Sequence, residues 1–159
     1  GYFNEPFDYP AILENGRLWM AVTPNEVNTM AEDVQDAFGR VLAFGLGLGY
    51  LPYMVSLSER VESVTVVEQN ERVIRLFTQH ILPQFPHRET IRIVQGDAYA
   101  FAKSELPNRR FDYIYTDLWH DAGDGIPMYL RMKQLEPLCP DAVYRYWIEK
   151  TMLCYLESV

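Results

Sequence analysis

The sequence lacks the features that mark several classes of protein. Only two of its 159 residues are cysteine, and the spacing of Cys139 and Cys154 matches neither a metal site nor a redox motif. Two isolated thiols are typical of a reduced chain, so we expect a cytoplasmic protein. No segment is apolar for long enough to span a bilayer, and the N-terminus lacks a secretory signal pattern. We therefore expect no membrane partner.

Positive charge is also scarce. The chain has 14 Lys and Arg and 22 Asp and Glu, which gives a formal net charge of −8. Binding to nucleic acid depends on clustered Lys and Arg at the phosphates, so we expect no nucleic-acid partner. The length suits one domain, residues 1–159, with an N-terminal arm and hairpin (1–22), a core (23–148) and a C-terminal tail (149–159). Because Gly1 stands where Met would begin a chain, we expect an excised or processed piece.

Two phosphate-binding motifs are missing. The sequence has no G-x-x-x-x-G-K-[ST] segment, which argues against nucleoside triphosphates. In the glycine-rich stretch Gly45-Leu46-Gly47-Leu48-Gly49 the third glycine comes one residue too early for the dinucleotide pattern, and Tyr50 stands in its place. Nicotinamide and flavin dinucleotides are therefore disfavoured.

What the chain does have is one clear βαβ unit, from Arg40 to Glu68. An apolar run leads into the three glycines, a helical pattern follows, and a second apolar run ends on Glu68. Glycines allow the sharp turn and the close approach of a ligand to the backbone. An acid about 20 residues after such a loop can bind both ribose hydroxyls. The unit therefore predicts a site for a nucleoside without a pyrophosphate.

The rest of the chain alternates strands and helices. We expect an irregular arm over residues 1–10, a hairpin around Asn15-Gly16 and a helix capped by Thr23. Further on we expect a helix after Asn70, strands at 91–94, 111–116 and 142–148, a loop over 118–127, a helix at 128–138 and a helical tail. This order predicts an α/β fold: a Rossmann-like, doubly wound, mainly parallel sheet of about five strands flanked by helices, without a final antiparallel strand pair.

Four polar or glycine signals follow four successive strands of this sheet. They are Gly45, Glu68, Asp97 and Asp117. Right-handed crossovers bring the carboxyl ends of parallel strands to one edge, where α/β proteins bind ligands. Asp97 could also serve only as a helix cap, and Asp117 only as a loop acid.

These residues resemble the class I S-adenosylmethionine-dependent methyltransferases and their relatives, the spermidine synthase-like aminopropyltransferases. The resemblance covers most of residues 12–148 and implies S-adenosyl-L-methionine as cofactor. It implies that Glu68 binds the ribose, that Asp97 takes the adenine amino group, and that the Ala98 amide meets a ring nitrogen. The cofactor-binding residues that it implies are Gly45, Leu46, Gly47, Gly49, Glu68, Gln69, Asp97, Ala98 and Asp117.

The resemblance also implies an acceptor side. Asp117 is the expected catalytic residue, close to where the sulfonium and the acceptor meet, and the expected substrate-binding residues are Asn25, Glu26, Trp119 and His120. The side chains of Trp119 and Tyr50 either contact the adenosine or only pack against neighbouring side chains. His120, Asp121 and Asp124 could hold a divalent cation, but such residues in a glycine loop are more often solvated, so we expect no metal.

The sequence departs from both families at specific positions. Ala43 stands where many methyltransferases have an acid, and Leu48 stands where aminopropyltransferases have Asp. The segment LENGRLWMAVTPNEVNTM resembles the aminopropyltransferase hairpin and lid, with Met20 in place of a cofactor-binding Gln. The absent final strands imply that substrate-binding parts are reduced or come from a partner subunit, and a homodimer is left open.

Three functions follow in order of preference. The first is an S-adenosylmethionine-dependent methyltransferase acting on a small-molecule N or O acceptor. The second is an aminopropyltransferase that uses decarboxylated S-adenosylmethionine. The third is a cofactor-binding module without catalysis.

Overall fold

The computed structural model of the protein describes residues 8–157. Its strands are β1 (Ala11–Glu14), β2 (Arg17–Ala21), β3 (Gly39–Phe44), β4 (Val61–Glu68), β5 (Ile91–Gln95), β6 (Tyr113–Thr116) and β7 (Val143–Tyr146). Its α-helices are α1 (Pro24–Asp36), α2 (Tyr50–Ser56), α3 (Glu71–Leu76), α4 (Ala98–Glu105), α5 (Ala122–Lys133) and α6 (Glu149–Glu157).

Five of these strands form one sheet in the order β5-β4-β3-β6-β7, and all neighbouring pairs are parallel. The apolar runs explain the pairing: Val41–Phe44 and the whole of β6 are buried, as strands covered by helices on both faces must be. The predicted α/β fold with a five-stranded parallel sheet is confirmed. After β7 the chain continues into α6, and among residues 8–157 no antiparallel strand joins this sheet.

The helices cover the two faces of the sheet with separate apolar clusters. One cluster lies under α2 and α3 and includes Val41, Val66, Phe77, Tyr113 and Tyr115, with Met30 and Val34 of α1 packed against it. The other lies under α4, α5 and α6 and is centred on Leu42, Phe44, Ile114, Met132 and Met152. Along β3 and along β6, alternate side chains therefore pack into the clusters on opposite faces of the sheet.

The hairpin and the first helix also agree with what the sequence predicts. Asn15 (φ 52°) and Gly16 (φ 78°) form the turn between β1 and β2, because both positions of such a turn need a left-handed backbone. Thr23 caps α1 through the Glu26 amide, and the Glu26 carboxylate accepts from the Thr23 amide at 2.9 Å. Of the irregular arm predicted for residues 1–10, residues 1–7 lie outside the described part of the chain.

Several predicted boundaries were wrong. The strands expected at 111–116 and 142–148 are the shorter β6 and β7, and the helix expected at 128–138 is α5, which ends at Lys133. The segment 118–127 was expected to be a loop, but α5 begins at Ala122, six residues before the expected start. Asp121 caps this helix and Asp124 completes the capping box, which outweighs the helix-weakening effect of two glycines and of Pro127. No helix in residues 8–157 combines the length and the apolarity needed to cross a membrane.

The start of β3 is anchored to the start of β6 by an ion pair. The Arg40 guanidinium donates to both carboxylate oxygens of Asp112 at 2.9 Å, and the Arg40 amide adds a third bond at 2.8 Å. These bonds hold the pKa of Asp112 at about 2. Gly39, with φ 62°, leaves the space that the Asp112 side chain occupies.

Replacing Asp112 with Ala should lower the free energy of unfolding by about 2 kcal/mol, because it removes bonds to a charged partner and leaves the Arg40 amide unpaired. Urea denaturation at neutral pH measures the change. The matched control is Glu71→Ala, which breaks only the exposed helical pair with Arg75 and should cost less than about 0.5 kcal/mol. Equal losses in the two variants would contradict the anchoring role of Asp112.

Candidate functional site

The glycine loop between β3 and α2 is shaped by close contacts on both sides. Gly45 has φ 98°, and a Cβ there would overlap the backbone carbonyl oxygen of Asp117. Gly49 has φ 82°, and a Cβ there would overlap the Phe77 ring. Gly47 has φ 53° but faces open space, so glycine is favoured there by backbone conformation alone. Contacts therefore require glycine at Gly45 and Gly49, whereas Gly47 has a φ that Asn15 and Ile148 also adopt.

Glu68, at the end of β4, is bonded to this loop. Its Oε2 accepts from the Leu46 amide at 3.1 Å, and its Oε1 accepts from the Asn70 amide at 2.8 Å. The carboxylate therefore bridges the glycine loop and the start of α3. Each oxygen can accept a further hydrogen bond, so Glu68 is fixed in position without being saturated.

A cleft of about 420 Å³ opens between the glycine loop, the carboxyl ends of the strands and the N-terminal hairpin. Among the residues that the structure describes, its wall carries four carboxylates, those of Glu26, Glu68, Asp97 and Asp117, and no Lys or Arg. Such a lining favours a cationic ligand and disfavours a pyrophosphate. The cleft lies where β3 and β6 meet, which is the point at which strand order reverses in this sheet.

Asp97 and Ala98 reach the cleft at the start of α4. Asp97 Oδ1 accepts from the Ala100 amide at 2.8 Å, so the side chain does cap the helix. Its second oxygen is not used by the cap, and Asp97 is exposed. Ala98 is the first residue of α4, and its amide is one that the helix itself cannot pair. Asp97 and Ala98 therefore place one hydrogen-bond acceptor and one hydrogen-bond donor next to each other.

Asp117 follows β6 and lines the cleft. Its amide donates to the Phe44 carbonyl at 2.9 Å, which holds the backbone against β3. In the described part of the chain no donor reaches its carboxylate. Burial, together with the negative charge of Glu26, raises the pKa of Asp117 to about 7. A carboxyl group with this pKa can exchange a proton near neutral pH.

The structure brings most of the predicted site residues together. The lining includes Gly45, Leu46, Gly47, Glu68, Gln69, Asp97, Ala98, Asp117, Glu26, Trp119, His120 and Tyr50. Gly49 is not in the lining; it is buried at the start of α2. Asn25 is exposed on the first turn of α1 and does not line the cleft.

Trp119 and the loop after it have structural contacts of their own. Trp119 is 4% exposed, donates to the Trp147 carbonyl at 3.2 Å and stacks on Tyr146. Asp121 and Asp124 form the capping box of α5, so their carboxylates are engaged with backbone amides. Across residues 8–157 no group of three or more His, Cys, Asp or Glu side chains is arranged to hold a metal ion.

Sequence reasoning missed several lining residues. No role in the site was predicted for Met30, Met128, Tyr99, Tyr115 and Trp147, although all five border the cleft. Tyr115 carried a usable signal, because it lies two residues before Asp117 on the same face of β6. The others reach the cleft from elements distant in sequence.

Comparison with known proteins supports the fold. No protein-family model matches the chain, and no curated protein sequence matches it. Among solved structures, a precorrin 8W decarboxylase from Methanobacterium thermoautotrophicum is 16% identical, with a TM-score of 0.59 over 86% of this chain and 70% of that chain. A conserved hypothetical protein from Streptococcus pyogenes is 14% identical, with a TM-score of 0.52 over 70% of this chain and 68% of that chain.

A third similar structure is a Klebsiella pneumoniae protein provisionally described as an O-methyltransferase. It is 18% identical, with a TM-score of 0.49 over 69% of this chain and 49% of that chain. At identities this low, the two higher-scoring likenesses establish a shared α/β fold alone.

Asp117 should make the empty protein less stable as pH rises. The folded state keeps the Asp117 proton up to about pH 7, whereas the unfolded state releases it near 3.8. Between these values the folded state binds more protons, so this residue's contribution to stability falls with rising pH. The amide side chain introduced by Asp117→Asn cannot ionise. The free energy of unfolding of this variant should therefore gain about 4 kcal/mol on the parent between roughly pH 4 and pH 8, because the two pKa values differ by about three units.

Denaturant unfolding of parent and variant across this pH range measures the gain. Other titrating groups, including Asp33 with its pKa raised to about 6, cancel in the difference between the two proteins. A difference that stays constant with pH would show that Asp117 is ionised throughout.

Proposed function

We propose that the protein is an S-adenosylmethionine-dependent methyltransferase acting on a small-molecule acceptor. The observation that carries this proposal is the position of Glu68. It is bonded to the glycine loop, and it lies in a cleft that four carboxylates line without a Lys or Arg. Such a cleft suits an adenosine that bears a positive sulfur rather than a pyrophosphate.

The dimensions and the donor set of the cleft fit this cofactor. A volume of about 420 Å³ lies in the range of small-molecule sites. Glu68 would accept from the ribose hydroxyls, the second oxygen of Asp97 from the adenine amino group, and the Ala98 amide would donate to a ring nitrogen. The open space at Gly47 would let the cofactor lie against the loop backbone.

Asp117 is the residue of the chain that would take part in the reaction. When bound, the cofactor would supply an electrophilic methyl carbon. The lone pair of the acceptor would form the new bond to this carbon, and the electron pair of the broken carbon–sulfur bond would stay on sulfur. Asp117 would orient the acceptor and take its proton, because its pKa of about 7 lets it act as a base near neutral pH. The cleft wall would contribute mainly by holding the two reactants in line.

One observation favours a second candidate, transfer of an aminopropyl group from decarboxylated S-adenosylmethionine. S-adenosylmethionine carries a carboxylate, and no Lys or Arg lines the cleft to pair with it. The decarboxylated form needs no such partner. The end of the hairpin and the start of α1 also border the cleft beside Asp117, through Met20 and Glu26.

Calorimetry with three ligands separates these possibilities. S-adenosylmethionine should bind, NAD should not, and a tighter fit of the decarboxylated form would favour aminopropyl transfer. Glu68→Ala should weaken binding about tenfold or more, because it removes hydrogen bonds to a charged acceptor. Glu71→Ala, three residues further on and outside the cleft, is the matched control. Undiminished binding by Glu68→Ala would refute the site assignment, and binding without any methylated or aminopropylated product would favour a non-catalytic module.

The base role of Asp117 can be tested without knowing the acceptor. In ¹³C NMR of the ligand-free protein, the Asp117 carboxyl should titrate near pH 7. Glu26→Gln should move this midpoint to lower pH, because it removes the negative charge that helps to raise the pKa. Glutamine also suits the third position of a capping box, so α1 should stay capped.

Glu32→Gln is the control for the loss of one charge from α1. Glu32 is exposed and paired with Lys150, and it does not contribute to the pKa of Asp117. An Asp117 midpoint near 4 in the parent would exclude its action as a base at neutral pH.

A further inference from the structure

Trp147, the first residue after β7, is hydrogen-bonded to three segments of the cleft wall. Its amide donates to the Thr116 carbonyl at the end of β6 at 2.9 Å, and its carbonyl accepts from the Trp119 indole at 3.2 Å. Its own indole N–H donates to the Thr29 hydroxyl of α1 at 3.0 Å. Trp147 also lines the cleft. One residue therefore joins α1 to the end of β6 and to the loop that follows it.

The backbone next to Trp147 is strained. Ile148, the following residue, has φ 52°, which a β-branched residue rarely adopts. This left-handed backbone turns the chain from β7 into α6, and the Ile148 carbonyl accepts from the Met152 amide at 3.1 Å. Trp147 packs against the apolar clusters on both faces of the sheet, so its ring is held from two sides. Strain of this kind persists only where the surroundings fix the backbone, and it is concentrated at functional sites.

The start of α1 depends on Trp147 more than the rest of the helix does. No residue of α1 is buried, so the helix is held by a small number of contacts. Thr29 lies one turn after Glu26, and its hydroxyl also donates to the Glu26 carbonyl at 2.7 Å. In the described chain, the other hydrogen bonds and ion pairs that join α1 to β6, β7 or α6 begin at Glu32. The turn that carries Glu26 is therefore held against the sheet by one polar contact, at Thr29.

The carboxylates of Glu26 and Asp117 are each tied to the segment that carries them. The Glu26 carboxylate accepts from the Thr23 amide at 2.9 Å, so it moves with the start of α1. Asp117 directly follows Thr116, and its amide is bonded to the Phe44 carbonyl, so it stays with the end of β6. The separation of the two carboxylates is therefore set by the position of α1 relative to β6.

We propose that Trp147 is a positioning residue, which holds α1 against the end of β6 and thereby fixes the separation of the Glu26 and Asp117 carboxylates. This inference rests on the proposed function in that Asp117 is the base of the transfer reaction. Without the bond to Thr29, the start of α1 can move away from β6. Asp117 then becomes more hydrated and lies further from the charge of Glu26, and both changes favour its ionised form.

The test removes the bond between Thr29 and Trp147 from either end. Thr29→Val removes the oxygen that accepts from the indole, and Thr29 does not line the cleft, so no lining side chain changes. Trp147→Phe removes the donor. Each substitution is made in the parent and in Glu26→Gln, and the Asp117 titration is followed by ¹³C NMR of the ligand-free protein. Tyr113→Phe is the matched control, because it removes another uncharged bond to α1, at the Asp33 carbonyl.

We expect Thr29→Val and Trp147→Phe each to lower the Asp117 midpoint from about 7 by roughly 0.3 unit or more. The shift should be smaller in the Glu26→Gln background, where the charge that α1 brings to Asp117 is already absent. Tyr113→Phe should leave the midpoint at its parent value. It should nevertheless lose more stability in urea than Thr29→Val, because the Tyr113 side chain is fully buried and the Thr29 bond is exposed.

Three results would overturn the inference: an unchanged Asp117 midpoint in Thr29→Val or Trp147→Phe, equal shifts in the parent and Glu26→Gln backgrounds, or a shift in Tyr113→Phe as large as that in Thr29→Val. The last result would show that the midpoint follows any loosening of α1. Failure of the parent to bind S-adenosylmethionine in calorimetry would instead refute the proposed function. The NMR titration uses no ligand and would still report on Trp147 in that case, so the two failures are distinguishable.

Discussion

The close approach of the β3–α2 loop to the end of β6 is the constraint on which the site depends. No Cβ fits at Gly45 against the Asp117 carbonyl, and the Asp117 amide is bonded to the Phe44 carbonyl. On the other side of the loop, the Gly45 amide donates to the Val67 carbonyl at 2.9 Å, and Glu68 accepts from the Leu46 amide. Three strand ends are thus joined around one turn, and the acids that follow them face one cleft.

This assembly has an electrostatic cost in the empty protein. Within residues 8–157, four carboxylates share a wall without a Lys or Arg, and the pKa of one of them, Asp117, is raised by burial and by Glu26. Tyr115 adds a buried hydroxyl with no partner in the described chain. Unfavourable groups of this kind are concentrated at functional sites, where a ligand removes the cost. A cation would be attracted by the ionised carboxylates of the wall, whereas an anion would be repelled by them.

The sequence predicted the parts of this arrangement that are local. The Asn15-Gly16 turn, the Thr23 cap and the glycine loop each lie within a few consecutive residues, and the structure has them where they were expected. The five-stranded parallel sheet follows from the alternation of apolar runs and helical patterns. The start of α5 was missed because Gly123, Gly125 and Pro127 disfavour a helix individually. The reciprocal cap of Asp121 and Asp124 was the local signal that overrode them.

The side of the cleft that α1 and the hairpin form could not be predicted in the same way, because it is built by contacts between distant parts of the chain. The docking of α1 over β6 and β7 depends on Tyr113 with Asp33, Trp147 with Thr29 and Lys150 with Glu32, pairs separated by 80 to 118 residues. No short motif encodes such pairs. The groups that would bind the cofactor, by contrast, come from strand ends whose spacing can be read directly. Substitutions on α1 can therefore change this side of the cleft while leaving the glycine loop and Glu68 intact.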